Sequence, residues 1–141
     1  MVGLLDVNVL VALLVPEHQH HASAMDWFAT QGVGQGWATC VVTELGVIRV
    51  CAQLPGGPWP PWTTADRLLL LTTAGPECEF WPDATPPAIM AEVRSAATAK
   101  QITDRYLLGL ARRHGGRVIT FDRALVATAG DAAACLLPAD E

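Results

Sequence analysis

The sequence predicts an α/β sandwich with a mainly parallel central sheet, and three observations point there. Short apolar runs of strand length alternate with amphipathic stretches of helix length. Two of those runs, LLD and VITFD, each deliver an aspartate at their carboxyl end. Hydrophobic residues make up 51% of the 141 positions, which is material for one packed core and one domain spanning residues 1–141.

Taken in order, residues 2–5 are short and apolar and suit a buried strand ending at Asp6. Residues 9–14 then turn helical. After Pro16, the stretch EHQHHASAMDWFATQG puts Ala22, Met25, Phe28 and Ala29 at helical spacing, with Gly32 as the expected stop. Residues 37–41 read as a second strand. Thr43 and Glu44 open a helix whose Leu45, Ile48 and Cys51 or Ala52 form one apolar stripe up to Pro55. The loop PGGPWPPWT follows, with Trp59 and Trp62 expected to cover the core. Residues 64–73 form a helix, residues 78–81 a short strand, and residues 87–97 a helix with prolines before its first turn. Thr103 is placed to N-cap a helix from Asp104, with Leu107, Leu108 and Ala111 inside and Gly115-Gly116 ending it. Residues 117–121 make a strand ending at Asp122, and residues 134–137 a last short strand. No internal repeat, low-complexity tract or domain boundary interrupts this order.

Composition excludes several classes. The apolar run over residues 7–15 is broken by Asn8 and falls short of the roughly 20 residues a membrane span needs. No basic segment precedes it, so it does not read as a secretory signal. Cys40, Cys51, Cys78 and Cys135 are scattered among apolar neighbours with no CxxC pair, which reads as buried thiols in a reducing compartment. The net charge of -5 argues against a general basic coat for nucleic acid. Between Arg94 and Arg123, however, seven basic residues stand against two acids, a local basic segment able to meet phosphates.

The acids carry the chemistry. Asp6 and Asp122 sit at strand carboxyl ends, where open parallel sheets form their ligand crevice. Glu44 and Asp104 fall in the first turn of helices that follow strands, so they begin at the same edge. Each has a duller reading as a cap or turn residue; four at one predicted edge make a stronger pattern. Two like charges about 4 Å apart repel by roughly 4 kcal/mol at an effective dielectric near 20, so convergence needs a cation. Carboxylates without His or Cys suit hard ions such as Mg²⁺ or Mn²⁺, which meet substrate through phosphate oxygens.

LLDVNVLVAL, TELGVIRV, FWPD and TDRYLLGLARRHGGRVITFDRAL, in that order, resemble the VapC toxins of bacterial toxin-antitoxin modules, which are PIN-domain ribonucleases. The resemblance covers most of the chain. It implies a PIN-like three-layer α/β/α sandwich, a Mg²⁺- or Mn²⁺-dependent endoribonuclease of the bacterial cytoplasm, a homodimer, and a cognate VapB-type antitoxin that blocks the active site. The family's acids fall on Asp6, Glu44, Asp104 and Asp122, with Asp6, Asp104 and Asp122 as metal ligands and Asn8 and Thr120 in support. Arg105 and Arg123 are candidate contacts for RNA phosphates. The antitoxin is expected in an apolar groove between helices around residues 18–31 and 44–54.

Other readings are weaker. His18, His20 and His21 have no Cys or further His at ligand spacing, so a solvated helix start is preferred to a zinc site. A haloacid-dehalogenase-like phosphatase also opens on an aspartate after an apolar strand, but it wants a second acid where Asn8 stands. A catalytically silent PIN-like module binding RNA or protein is the alternative from a different class. Asp83 reads as a turn residue.

Overall fold

The computed structural model describes residues 1–130 and 133–138. Five strands, β1 (Gly3–Leu5), β2 (Trp37–Thr39), β3 (Cys78–Phe80), β4 (Arg117–Thr120) and β5 (Ala134–Leu136), form one parallel sheet in the order β3-β2-β1-β4-β5. The helices are α1 (Val7–Leu14), α2 (His21–Trp27), α3 (Val33–Gln35), α4 (Val41–Cys51), α5 (Pro61–Thr73), α6 (Ala91–Arg94), α7 (Gln101–Arg113) and α8 (Arg123–Ala129). None among the described residues is long and apolar enough to cross a membrane.

Strand periodicity separates the three layers. Successive side chains point to opposite faces, so Leu5, Trp37 and Ile119 join one core while Leu4, Ala38 and Val118 join the other. The first core packs under α1, α2, α4 and α5; the second packs under α7 and α8. Register is matched across the centre, with Leu4 opposite Val118 and Leu5 opposite Ile119. Each fully buried leucine contributes about 2 kcal/mol of apolar transfer, so both faces hold the sheet.

The chain adds strands outward from β1 through β2 to β3, then crosses back to β4 on the other side of β1. That reversal puts the topological switch point between β1 and β4. Their carboxyl ends carry Asp6 and Asp122, the place where this topology opens a crevice.

Several elements differ from expectation. The helix after Pro16 turns a different face inward: Ala24 and Trp27 are buried, while Met25 is 43% exposed. Trp27 has the largest apolar area in the segment, and its ring lies against Gly3 and Gly32. Gly32 does not stop the helix, which widens into a π-helical turn over Phe28–Gly32 and ends past α3 at Gly36, where φ is +87°.

In α4 the buried residues are Thr43, Gly46, Val47 and Cys51, and Leu45 is 55% exposed. The helix rotates this way because Gly46 lets it approach Val7 of α1, which a Cβ would strike. Trp59 packs on the core with the Arg67 guanidinium 4.4 Å from its ring, but Trp62, in the first turn of α5, is 69% exposed rather than covering the core.

The helix expected over residues 87–97 splits into a 3-10 turn, Pro87–Ile89, and α6. Buried Met90 sits between them in extended backbone and reaches α7 at Gly109. Helix α7 begins at Gln101, so Thr103 lies inside its first turn and is not the N-cap. Leu107, Leu108 and Ala111 do face the core, and Gly115 follows the helix at φ +67°. All four cysteines are free; Cys40 and Cys51 are buried, whereas Cys78 and Cys135 are only half-buried.

Candidate active site

Asp6 ends β1 and N-caps α1. Its Oδ1 accepts the Val7 N–H at 2.8 Å, and its Oδ2 accepts the Thr120 hydroxyl at 2.7 Å. Thr120 is fully buried at the end of β4, and its oxygen in turn accepts the Asp122 N–H at 2.9 Å. Asp122 N-caps α8 through Oδ1, which accepts from Ala124 at 2.9 Å and Leu125 at 3.3 Å. Asn8 closes the bridge between the two strands. Its amide donates to Thr120 Oγ1 and its Oδ1 accepts the Phe121 N–H, both at 3.5 Å.

Asp104 arrives from α7, and electrostatics reveal its neighbours. Burial pushes its carboxyl up to about 6, with the negative charges of Asp6 and Asp122 adding to the rise and Lys100 opposing it. Burial also raises Asp6; the Thr120 and Val7 bonds oppose that rise and Asp122 adds to it. The three aspartates thus share one electrostatic site, and none of the described residues donates a hydrogen bond to Asp104. A half-buried carboxylate beside two others, with no donor of its own, is an arrangement a cation relieves.

Glu44 is placed differently. Its Oε2 accepts the Thr39 hydroxyl at 2.6 Å, and it lines a cleft with Ile48, Leu68, Leu69, Cys78 and Phe80. Burial, together with the charges of Glu44 and Glu79, pushes the Cys78 thiol up to about 12 and leaves it an unreactive thiol. The apolar cleft on α4 therefore opens toward α5 and β3.

The donor set fits a hard divalent cation in kind: aspartate oxygens, a threonine hydroxyl and an asparagine amide, all oxygen chemistry apart from the amide nitrogen. Among the described residues no three His, Cys, Asp or Glu side chains are drawn close enough to share one ion. An ion here would therefore meet one or two of the carboxylates directly and reach the others through water, as Mg²⁺ can.

The basic segment is divided. Arg112 pairs with Glu92 at 3.6 Å, Arg113 bonds Asp83 at 2.6 Å, and Arg94 reaches the Ala88 carbonyl at 3.2 Å, all committed to packing α6 and α7. Arg105, beside Asp104, donates to Ser95 Oγ at 3.2 Å and keeps its Nε buried without a partner. Arg123, beside Asp122, is exposed.

The histidine run is not the solvated helix start expected. His21 Nδ1 lies 2.6 Å from the Ala12 carbonyl, and His20 stacks on Phe121 at 4.7 Å between ring centroids. His20 thus reaches the loop between Thr120 and Asp122. Only the spatial return of α2 to β4 reveals this, so spacing within the sequence carried no signal. Asp83 is a turn residue, accepting the Thr85 N–H at 3.0 Å.

A parallel sheet with helices on both faces and an aspartate pair at the switch point fits a PIN domain, and the PIN domain family model matches residues 3–131. Ribonuclease VapC39 of Mycobacterium tuberculosis is 39% identical over 134 residues, covering 92% of this chain and 94% of that protein. The crystal structure of VapC20 from the same organism, titled a sarcin-ricin loop cleaving toxin, superposes with a TM-score of 0.72 at 14% identity, over 98% of this chain and 100% of that one. VapBC2 from Rickettsia felis, bound to a DNA fragment from its promoter, superposes with a TM-score of 0.69 at 10% identity over 98% and 100%. The chain belongs to the VapC ribonucleases of the PIN-domain family.

Proposed function

We propose that this protein is the toxin of a toxin-antitoxin module, a Mg²⁺- or Mn²⁺-dependent endoribonuclease that hydrolyses RNA phosphodiester bonds and is held in check by a VapB-type antitoxin. The observation that carries the reading is the carboxylate site at the switch point, where Thr120 ties Asp6 to the Asp122 backbone and the charges of both aspartates act on half-buried Asp104. Kinship with VapC39 and the likeness to a VapBC assembly support the ribonuclease and the antitoxin respectively.

In this reading Asp6, Asp104 and Asp122 hold the metal, directly or through water. Thr120 keeps Asp6 and the Asp122 backbone in register by bonding both, and Asn8 ties the two strand ends together. The bound ion supplies a water activated for attack and charge stabilisation at phosphorus. Asp104, with no donor of its own, is the group best placed to take a proton from water. Glu44 joins from the neighbouring helix start as an accessory group. Arg105 and Arg123 position backbone phosphates and read no sequence. The active unit is a homodimer in the bacterial cytoplasm.

The test is RNA cleavage by purified protein with Mg²⁺ or Mn²⁺. Activity lost in both Asp6→Asn and Asp104→Asn supports the reading; full activity in both overturns it. For the antitoxin, co-purification with a small protein encoded beside the chain is expected.

A further inference from the structure

A cavity of about 390 Å³ opens at the same carboxyl edge of the sheet as the acidic site, past the ends of β2 and β3, and has no part in holding the carboxylates. Val41 and Val42 from the start of α4, Val93 from α6 and Ile102 and Tyr106 from α7 form its apolar wall. Ile102 and Thr103 immediately precede Asp104 on α7, so one helix start contributes to both the cavity and the acid site. Val41 is 55% and Ile102 47% exposed, so both are reachable from solvent at the mouth of the cavity.

The polar groups around it divide into two kinds. Asp83 is already occupied: it accepts from Thr85, Arg113 and the Tyr106 hydroxyl, so its charge is neutralised within the fold. Thr85 and Thr103 add neutral, hydroxyl-bearing side chains to the lining. The result is an aromatic and aliphatic chamber with two threonines, whose one carboxylate, Asp83, is paired with Arg113. Arg105, next to Asp104 on α7, donates to Ser95 Oγ and lies outside the cavity lining.

This division matches one nucleotide unit. A phosphate needs the cationic and metal-binding edge, whereas a base needs an apolar wall, an aromatic face and a few neutral hydrogen-bonding groups. We propose that this cavity is a nucleobase subsite: it takes one unpaired base of the RNA strand next to the scissile phosphate. Tyr106 and the aliphatic wall pack the base, and Thr85 and Thr103 meet its edge. A base inside a helix cannot enter, so the subsite restricts cleavage to single-stranded segments and loops. The proposal rests on the ribonuclease reading above and assigns the selectivity of that same site.

The test pairs a filled cavity with a missing base. Val41→Trp and, separately, Ile102→Trp block the chamber at exposed positions that folding tolerates, checked by an unchanged melting temperature. Short single-stranded RNA oligonucleotides carry an abasic residue at each position in turn around the cleaved bond. In the wild-type protein one flanking abasic position lowers kcat/KM about tenfold, the loss of one packed base. Each filled variant shows the same loss on intact RNA and becomes indifferent to that abasic position. A second readout uses 2-aminopurine at that position in Asp104→Asn protein, where binding changes its fluorescence and Ile102→Trp abolishes the change.

If filled variants retain the full abasic penalty, the subsite is overturned. It is overturned also if filling leaves RNA cleavage untouched but releases the co-purifying antitoxin, because the cavity then belongs to a protein partner. Absence of any RNA cleavage by the wild-type protein would instead sink the ribonuclease reading itself, so the two failures are distinct.

Discussion

Four acids stand at helix starts, two at N-caps and two one turn further in, and the pairs behave differently. Asp6 and Asp122 are caps, fixed by the N–H groups of the helices they begin and joined through Thr120. Glu44 and Asp104 are first-turn residues with no such anchor. Their side chains go where neighbouring elements send them: Asp104 to the other aspartates, Glu44 to the Thr39 hydroxyl. A cap position thus fixes a carboxylate from local sequence, whereas a first-turn position leaves it to tertiary context.

The largest effect should separate the two first-turn acids. Asp104→Asn is expected to lower metal-dependent RNA cleavage by more than the roughly 10–100-fold typical of a supporting partner. Glu44→Gln should cost at least about tenfold less. Steady-state cleavage of one oligonucleotide decides this, and equal losses would show that Glu44 turns into the site during the reaction.

Next in size is the bond that joins the caps. Thr120→Val keeps the volume but removes the hydroxyl from Asp6 and Asp122, leaving a buried carboxylate and an N–H short of a partner. Cleavage should fall about 10–100-fold and the fold should lose about 1–3 kcal/mol, read by urea unfolding. An unchanged midpoint would mean that Thr120 does not carry the register of the two strand ends.

How much of this was legible follows the same division. LLD and VITFD showed both acids at strand carboxyl ends because a short apolar strand and an acid lie within a few residues, and their capping of α1 and α8 came with the structure. Glu44 was legible as an acid at the right edge, but not in its direction, which depends on Thr39 from another strand. The start of α7 was misread because Thr103 resembles a cap, while the chain is already turning at residue 98, where the Gln101 N–H bonds the Thr98 carbonyl. The inner faces of α2 and α4 were rotated for a related reason. In stretches rich in Ala, Val and Leu several stripes satisfy the helical period, and packing at Trp27 and Gly46 chooses among them. Burial of Met90, which breaks the helix over residues 87–97, depends on contact with α7 and has no local signal.

A smaller effect sharpens the comparison without RNA. The folded-state pKa of Asp104 is raised to about 6 from an ordinary 3.8, so the metal-free folded chain holds a proton that the unfolded chain has released across that interval. Stability should therefore fall as pH rises from about 4 to about 7, reversing the usual behaviour of a paired carboxylate. Thermal melts of chelator-treated protein should show that decline, and Asp104→Asn should reduce it to the part that raised Asp6 contributes. A decline of unchanged size in Asp104→Asn would assign it to other groups.

The smallest effect lies outside the acid site. Arg113→Met removes the partner that lies 2.6 Å from Asp83, and stability should drop by about 1 kcal/mol, because the arginine is one-third exposed and screened by solvent. Denaturant midpoints measure it.

The central claim, that the switch-point aspartates form a divalent-cation site, is tested most directly by titrating Mn²⁺ into the pure, antitoxin-free protein by calorimetry. Binding to the wild-type protein, abolished in Asp6→Asn and Asp104→Asn and retained in Glu44→Gln, is the expected result. No Mn²⁺ binding by the wild-type protein, or binding unchanged in both aspartate variants, would contradict it.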